Sequence, residues 1–467
     1  MAATYSYGSA PTYTKIASNT LSTASTSYTF SNIPQTYTDL VLVTNTRSHT
    51  GQASYDTRIY VNLNGDQTSG LYSGTVMHGT GVNAVSYRET GRNQVDNSKQ
   101  TSTQSSGEFA PFIYNIMNYS NPNIFKNVIQ RASPSLNTES TYNGPGVAVT
   151  LWRNLSPITS LTVQAAGGAS SVGFAAGSSF TLYGIKAALV PKATGGDLIR
   201  TDGTYWIHTF TNSGSFIPRQ NLTVDYLVVA GGGSGGSYAG GGGGAGGLRS
   251  TVTTTGGGGS LESALSLSSG TNYTVTIGAG GAAVNNTTTA KAGIQGSNSV
   301  FSTITATGGG GGGSYANISP TTGGSGGGSP GYSAGASVTG AAGTASQGYA
   351  GGSATSALAG AGGGGSGAVG ATVSASSTVG GAGGAGVAVS ITGTSVTYAG
   401  GGGGAGLSGG AGGSGGGGTA GNGTSTPGTS GTVNTGGGGG GVRDSTDTRV
   451  VISGAGGSGL VIVRYAV

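Results

Sequence analysis

Up to about residue 230 the apolar positions of this chain alternate with polar ones in short runs; beyond it they come as brief bursts between stretches of glycine. In TRIYVNL (57–63), Ile59, Val61 and Leu63 fall on one face while Arg58, Tyr60 and Asn62 fall on the other, as a strand buried on one side requires. The same period marks strands at 28–30, 39–44 (DLVLVT), 112–117 (FIYNIM), 125–129, 147–152 (VAVTLW), 161–164 and 180–185 (FTLYGI). No window repeats its apolar residues at helical spacing. Many short strands between Gly, Asn, Ser and Pro turns predict an all-β chain that opens with a β-sandwich, jelly-roll-like, over residues 1–190.

Residues 191–196 (PKATGG) read as a linker, and with the strands that follow they make 191–230 a linker and base segment. Strand patterning continues at 205–216 (YWIHTFTNSGSF), 222–229 (LTVDYLVV), 273–277 (YTVTI) and 460–465 (LVIVRY). The last is expected to return and pair with the strands of 205–229. That pairing closes residues 231–467 into a domain anchored at both ends.

Of the 101 glycines, 20 lie in residues 1–230 and 81 in residues 231–467, about a third of that half. Collagen is excluded, because runs such as 308–313 break the every-third-residue period it needs. Low-complexity disorder is the compositional alternative. Strand-like segments inside the glycine half and at its end argue against it, since a disordered tail has no use for a terminal strand.

Glycine lets backbones approach more closely than any other residue, at the largest entropic cost of ordering. Polyproline-II geometry has three residues per turn and makes no internal hydrogen bonds, so its amides point in three directions and can bond to several neighbours. The runs 231–247, 308–313, 323–328, 360–370, 380–386, 400–418 and 436–441 are therefore predicted to pack as polyglycine-II-type strands, with loops displayed at the bundle ends. At ~3.1 Å per residue the six glycines of 308–313 span roughly 19 Å.

Charge narrows the partners. The formal net charge is +5, with 13 basic and 10 acidic residues before position 231 and 5 and 3 after it. Neither half carries the dense basic run of a nucleic-acid binder. Without cysteine, thiolate metal sites and disulfides are excluded. The opening MAATYSYGSAPTYTK lacks the basic and apolar regions of a signal peptide, and no apolar stretch approaches the roughly 20 residues that span a bilayer. A protein folded in the cytoplasm without membrane insertion is expected.

YLVVAGGG (226–233), GGGGGAGG (240–247) and SGLVIVRY (458–465) resemble the glycine-rich domains of bacteriophage tail-fibre proteins, above all the receptor-binding adhesins at the tips of long tail fibres; the packed glycine frame is also similar to that of snow-flea antifreeze proteins. The resemblance covers roughly residues 200–467. FTLYGIK (180–186) is similar, more weakly, to β-sandwich domains of phage virion proteins. No fibre-attachment domain and no collagen-like or coiled-coil shaft is identifiable. The resemblance implies a non-enzymatic virion protein, assembled in the host cytoplasm as a homotrimer, that contacts other tail or capsid proteins and binds a host-cell surface glycan or outer-membrane protein. A head fibre or capsid decoration protein, and an ice-binding protein, are the alternatives; against the last, the glycine half lacks a Thr-x-Thr ladder.

Five tyrosines at loop-like positions of the glycine half are the candidate receptor-binding residues: Tyr238, Tyr315, Tyr332, Tyr349 and Tyr398. Each offers a flat face for a sugar ring and a hydroxyl for hydrogen bonding, or else covers a bundle end. Glycan hydrolysis would need two carboxyl groups facing one cleft, and Glu89, Asp96, Glu108 and Glu139 carry no such spacing, nor do Glu262, Asp444 and Asp447. His49, His78 and His208 are scattered without clustered carboxylates, so neither a metal nor another cofactor is expected. Trp152 is expected in the core, His208 in a buried structural role, and Arg443, Asp444, Asp447 and Arg449 in a solvated loop.

Overall fold

A computed structural model describes residues 4–6, 13–49, 58–79, 83–96, 109–132, 145–166, 173–186, 190–285, 290–316, 318–331, 338–355, 358–423, 425–443 and 451–467. The described chain is all-β, without an α-helix. It divides into two compact units, one of Ala10–Leu189 and one of Met1–Ser9 with Val190–Val467.

In chain order the strands begin with β1 (Thr4–Ser6), β2 (Tyr13–Thr20), β3 (Ser27–Phe30), β4 (Asp39–Thr46), β5 (Arg58–Leu63), β6 (Tyr72–Gly79) and β7 (Ala84–Arg92). They continue with β8 (Val95–Asp96), β9 (Ala110–Met117), β10 (Lys126–Ala132), β11 (Gly146–Trp152), β12 (Leu161–Ala166) and β13 (Ser179–Ile185). Strands β2 to β13 build the first unit as two sheets, ordered β2-β13-β4-β9-β10-β11-β6-β7 and β3-β12-β5-β8. One core joins them: Leu40, Phe112, Tyr114, Val128 and Trp152 of the larger sheet are buried with Phe30, Ile59, Val61 and Leu161 of the smaller. Ile59, Val61 and Leu63 are all buried, as the alternation of TRIYVNL requires, and Thr57 lies outside the described residues. Trp152 is a core residue, and its indole N–H donates to Asp66 Oδ2 at 3.1 Å. Lys126 is also buried; its ammonium donates to the carbonyls of Asn121, Ile124 and Leu155 at 2.6–2.8 Å, which satisfies the charge and ties two loops together.

The second unit adds β14 (Ala193–Thr194), β15 (Leu198–Thr201), β16 (Tyr205–Phe210), β17 (Gly214–Pro218), β18 (Leu222–Val229) and β19 (Leu248–Ser250). After these come β20 (Leu265–Leu267), β21 (Tyr273–Thr276), β22 (Ser299–Phe301), β23 (Ile304–Ala306), β24 (Val387–Val389), β25 (Val396–Tyr398) and β26 (Leu460–Ala466). The closing strand β26 lies between β16 and β18, antiparallel to both. Within 191–196, read as a linker, Ala193–Thr194 pairs with β17; and the strand patterning of 205–216 belongs to two strands, β16 and β17, of different sheets.

Strands β16, β18 and β26 are buried on both faces, which is why LVVA and LVIV read as continuous apolar runs. One face carries Ile207, Leu227, Val229, Leu460 and Ile462 against Leu248, Val389, Ile391 and Tyr398. The other carries an aromatic cluster in which His208 lies 5.1 Å from Phe216 and 5.4 Å from Tyr465, with Phe301 and Tyr226 next to them. His208 is buried, as expected: one ring nitrogen, Nδ1, is 2.7 Å from the Gly195 carbonyl, and Nε2 is 2.9 Å from the Tyr465 hydroxyl. Neutral imidazole satisfies both contacts, Nδ1–H donating to the carbonyl and Nε2 accepting from the phenol. Burial pulls its pKa down from 6.5 to about 4.

Candidate functional site

Between β18 and β26 the chain runs back and forth as extended glycine strands bonded to three neighbours at once. In residues 231–236 the N–H groups of Gly231 and Ser234 donate to Ser297 and Ile294, those of Gly232 and Gly235 to Gly457 and Gly454, and those of Gly233 and Gly236 to Gly244 and Gly241. Every third amide thus serves the same neighbour, the signature of polyglycine-II packing. The returning strand repeats it: Gly240, Gly243 and Gly246 donate to Val442, Gly439 and Gly436, while Gly241, Gly244 and Gly247 donate to Gly313, Gly310 and Thr307. Almost every backbone donor in these strands is satisfied with almost no apolar side chain present.

Nothing but glycine fits most frame positions. A Cβ built on Gly242 would lie 2.0 Å from the Gly402 carbonyl oxygen, and one on Gly236 would lie 1.9 Å from that of Gly313. These are backbone atoms, and moving them breaks the neighbour's own bonds. Where the frame admits alanine or serine, as at Ala245, Ala361 and Ser234, the residue is fully buried.

The pattern holds over the stretch between two anchoring strands of one sheet, and a family model described as a glycine-rich domain matches residues 210–466. The chain belongs to the glycine-rich domain family. No curated protein matches it. The matched glycine-rich domain takes in β17, β18 and the closing β26 as well as the frame.

Because the strands of the glycine-rich domain start from the anchoring sheet, the frame has an anchor end and a far end. Residues 231–237 leave β18 for the far end, Tyr238 and Ala239 turn there, and 240–247 return to β19. Both turn residues have positive φ, 50° and 47°, which reverses the chain in two residues. Residues 308–313 run parallel to 231–236, since Gly309 and Gly312 donate to Gly231 and Ser234, and this places Tyr315 at the far end also. The two rings lie 6.5 Å apart, tilted by 38°, and the Tyr315 N–H donates to the Tyr238 carbonyl at 3.0 Å. Beneath them Ser314 Oγ donates to the Ser237 carbonyl at 2.6 Å.

The other candidates lie elsewhere. Tyr349 is half-buried toward the anchor end, its carbonyl accepting from Gly326, and its hydroxyl lies against Gly258 in the 3-10 turn Gly256–Gly258. Tyr398 is not a loop residue: it ends β25, is only 7% exposed, and packs in the core of the anchoring sheet. Burial raises its hydroxyl pKa and keeps it protonated. Tyr332 lies outside the described residues, as do Asp444, Asp447 and Arg449 of the expected solvated loop.

Sequence reading missed a second set of tip residues. Leu358, Val379, Leu407 and Ile452 are exposed at the far end, where Leu407 N–H donates to the Thr378 carbonyl and Val379 bridges to Ser408. Below them Ala354, Ala359, Ala361 and Val373 form a small buried cluster. Single large apolar residues within Gly/Ser/Ala runs were the available signal.

The described carboxylates are engaged in structural bonds. Glu262 receives both Arg249 and the Tyr226 hydroxyl, Asp225 receives Arg464 at 2.8 Å and the Thr251 hydroxyl at 3.0 Å, and Asp197 accepts the N–H groups of Thr211 and Asn212. Among the described residues no three His, Asp or Glu side chains converge on one point. Glu108 and Glu139 lie outside the described residues.

Proposed function

We propose that this chain is a structural protein of a bacteriophage particle, a tail fibre or tail-tip adhesin, that attaches to a bacterial host through the loops at the far end of its glycine-rich frame. The observation that supports this most is the contrast between frame and tip. Frame glycines meet neighbouring backbone within about 2 Å of any added Cβ, whereas the tips carry exposed Tyr315, Leu358, Val379 and Leu407 on loops free to vary. A scaffold held by backbone hydrogen bonds lets its end loops change in length and sequence without disturbing a packed core. Such an end suits a surface whose targets differ between hosts, a glycan or an outer-membrane protein. Weak contacts at single tips become firm attachment when several copies engage together. On this reading the sandwich of residues 1–190 faces the particle and residues 231–467 face the host.

A particle carrying Tyr238→Ser, Tyr315→Ser, Leu358→Ser and Leu407→Ser is expected to assemble normally and adsorb to host cells at least tenfold more slowly than the parent. Equal adsorption by particles that contain the folded variant would remove the far end from the attachment site.

A further inference from the structure

In the Ala10–Leu189 unit the eight-stranded sheet has a second apolar side. Antiparallel sheets that bury one face usually turn polar residues outward on the other. Here the outward residues Val43, Ile113, Arg131, Val147, Met77 and Ser86 stand side by side across β4, β9, β10, β11, β6 and β7. The next row on that side is Val41, which is itself buried, then Asn115, Ile129, Val149, Thr75 and Arg88. Met77 is 55% exposed and Val149 43%. Where Met77, Ser86, Arg131 and Val147 meet, a groove of about 600 Å³ opens. Arg88 and Arg131 make no ion pair among the described residues.

We propose that this face packs against the same face of a second copy of the chain, related by a two-fold axis that runs along the strands between β10 and β11. Size is the first argument. Six strands at ~4.8 Å spacing and seven residues at ~3.4 Å rise give roughly 700 Å² of projected area, close to the roughly 800 Å² per partner of a stable interface. Complementarity is the second. About that axis β10 faces β11, β9 faces β6 and β4 faces β7 of the other copy. Ile129 then meets Val149, while Ile113 and Val43 of the second copy enter the groove beside Met77 and Ser86. Arg131 is set over Val147 and not over another cation. Arg88 comes opposite β4, where Val41 is buried and Asp39, on the same side and partly exposed, accepts the Asn118 N–H with Oδ1, so the unpaired cation on β7 of one copy meets a carboxylate on β4 of the other. An isologous contact of this kind closes on itself and gives pairs, not the trimer expected from the fibre resemblance.

The test is the mass of the full chain in solution by light scattering at micromolar concentration. The parent should have twice the single-chain mass of 44.6 kDa. Val149→Glu should reduce it to one chain with the thermal transition retained, and Met77→Lys, at a more exposed position, should do the same if Val149→Glu does not fold. A parent of one or three chains, or either folded variant remaining paired, would overturn the proposal.

Discussion

A Gly402→Ala chain is expected to lose the cooperative unfolding transition of the glycine-rich domain. Gly402 donates to the Gly243 carbonyl and accepts from the Gly363 N–H, both at 2.9 Å, and the Cβ added to it would lie 2.0 Å from the Gly439 oxygen. Gly243 in turn donates to that same Gly439 oxygen, so relief of the clash displaces a donor and an acceptor in two further strands. No flexible side chain can yield. The cost should exceed ~4 kcal/mol, the range reserved for severe packing or hydrogen-bonding defects, against a typical domain stability of about 5–15 kcal/mol. Gly214→Ala is the control, since the atom nearest its Cβ would be a Phe210 ring carbon at 3.9 Å; it should change stability by about 0.5 kcal/mol or less. Calorimetry on the two chains separates a hydrogen-bonded frame, which predicts opposite outcomes, from a flexible glycine tail, which predicts two unchanged traces.

The second large effect is acid lability at the anchor. His208 has its pKa lowered from 6.5 to about 4, first by burial, while its bond to the Gly195 carbonyl opposes that shift. The unfolded chain therefore binds a proton that the folded chain refuses between these values. The contribution of His208 to stability is fully present above pH 6.5 and is lost as the pH falls toward 4. It amounts to roughly 3 kcal/mol over that interval. Melting temperature measured from pH 7 to pH 4 should fall for the parent and fall less for His208→Gln, which cannot take up the proton. Identical slopes in the two chains would place the acid sensitivity elsewhere.

Strand β13 was legible because Phe180 and Leu182 are buried on one face while Ser179, Thr181 and Tyr183 stand on the other, and the pleat has a period of two. Strand β7 was not, since AVSYRETGR lies at a sheet edge and most of its residues are exposed on both faces. The frame was legible for a physical reason of its own: a folded glycine strand has no side chains to bury, and polyproline-II geometry aims its amides at three neighbours. Which end each tyrosine occupies was not. A residue's end depends on how many strands precede it, and the short descent of 318–322 shifts that count, so a regular spacing of 17 does not keep Tyr315 and Tyr349 at one end. Tyr398 was misplaced because VTY is too short to be read as a strand, although it pairs with β24 and closes the core.

Attachment through tips requires that the frame be ordered before any host is met. Amide hydrogen exchange followed by mass spectrometry on the free protein tests this most directly. Fragments spanning 308–313, 360–366, 399–405 and 436–441 should retain deuterium-sensitive protection for hours, comparable to β16 and β26, while fragments around the far-end turns at 374–378 exchange within seconds. Rapid exchange throughout residues 231–459, with protection confined to the anchoring strands, would contradict the account.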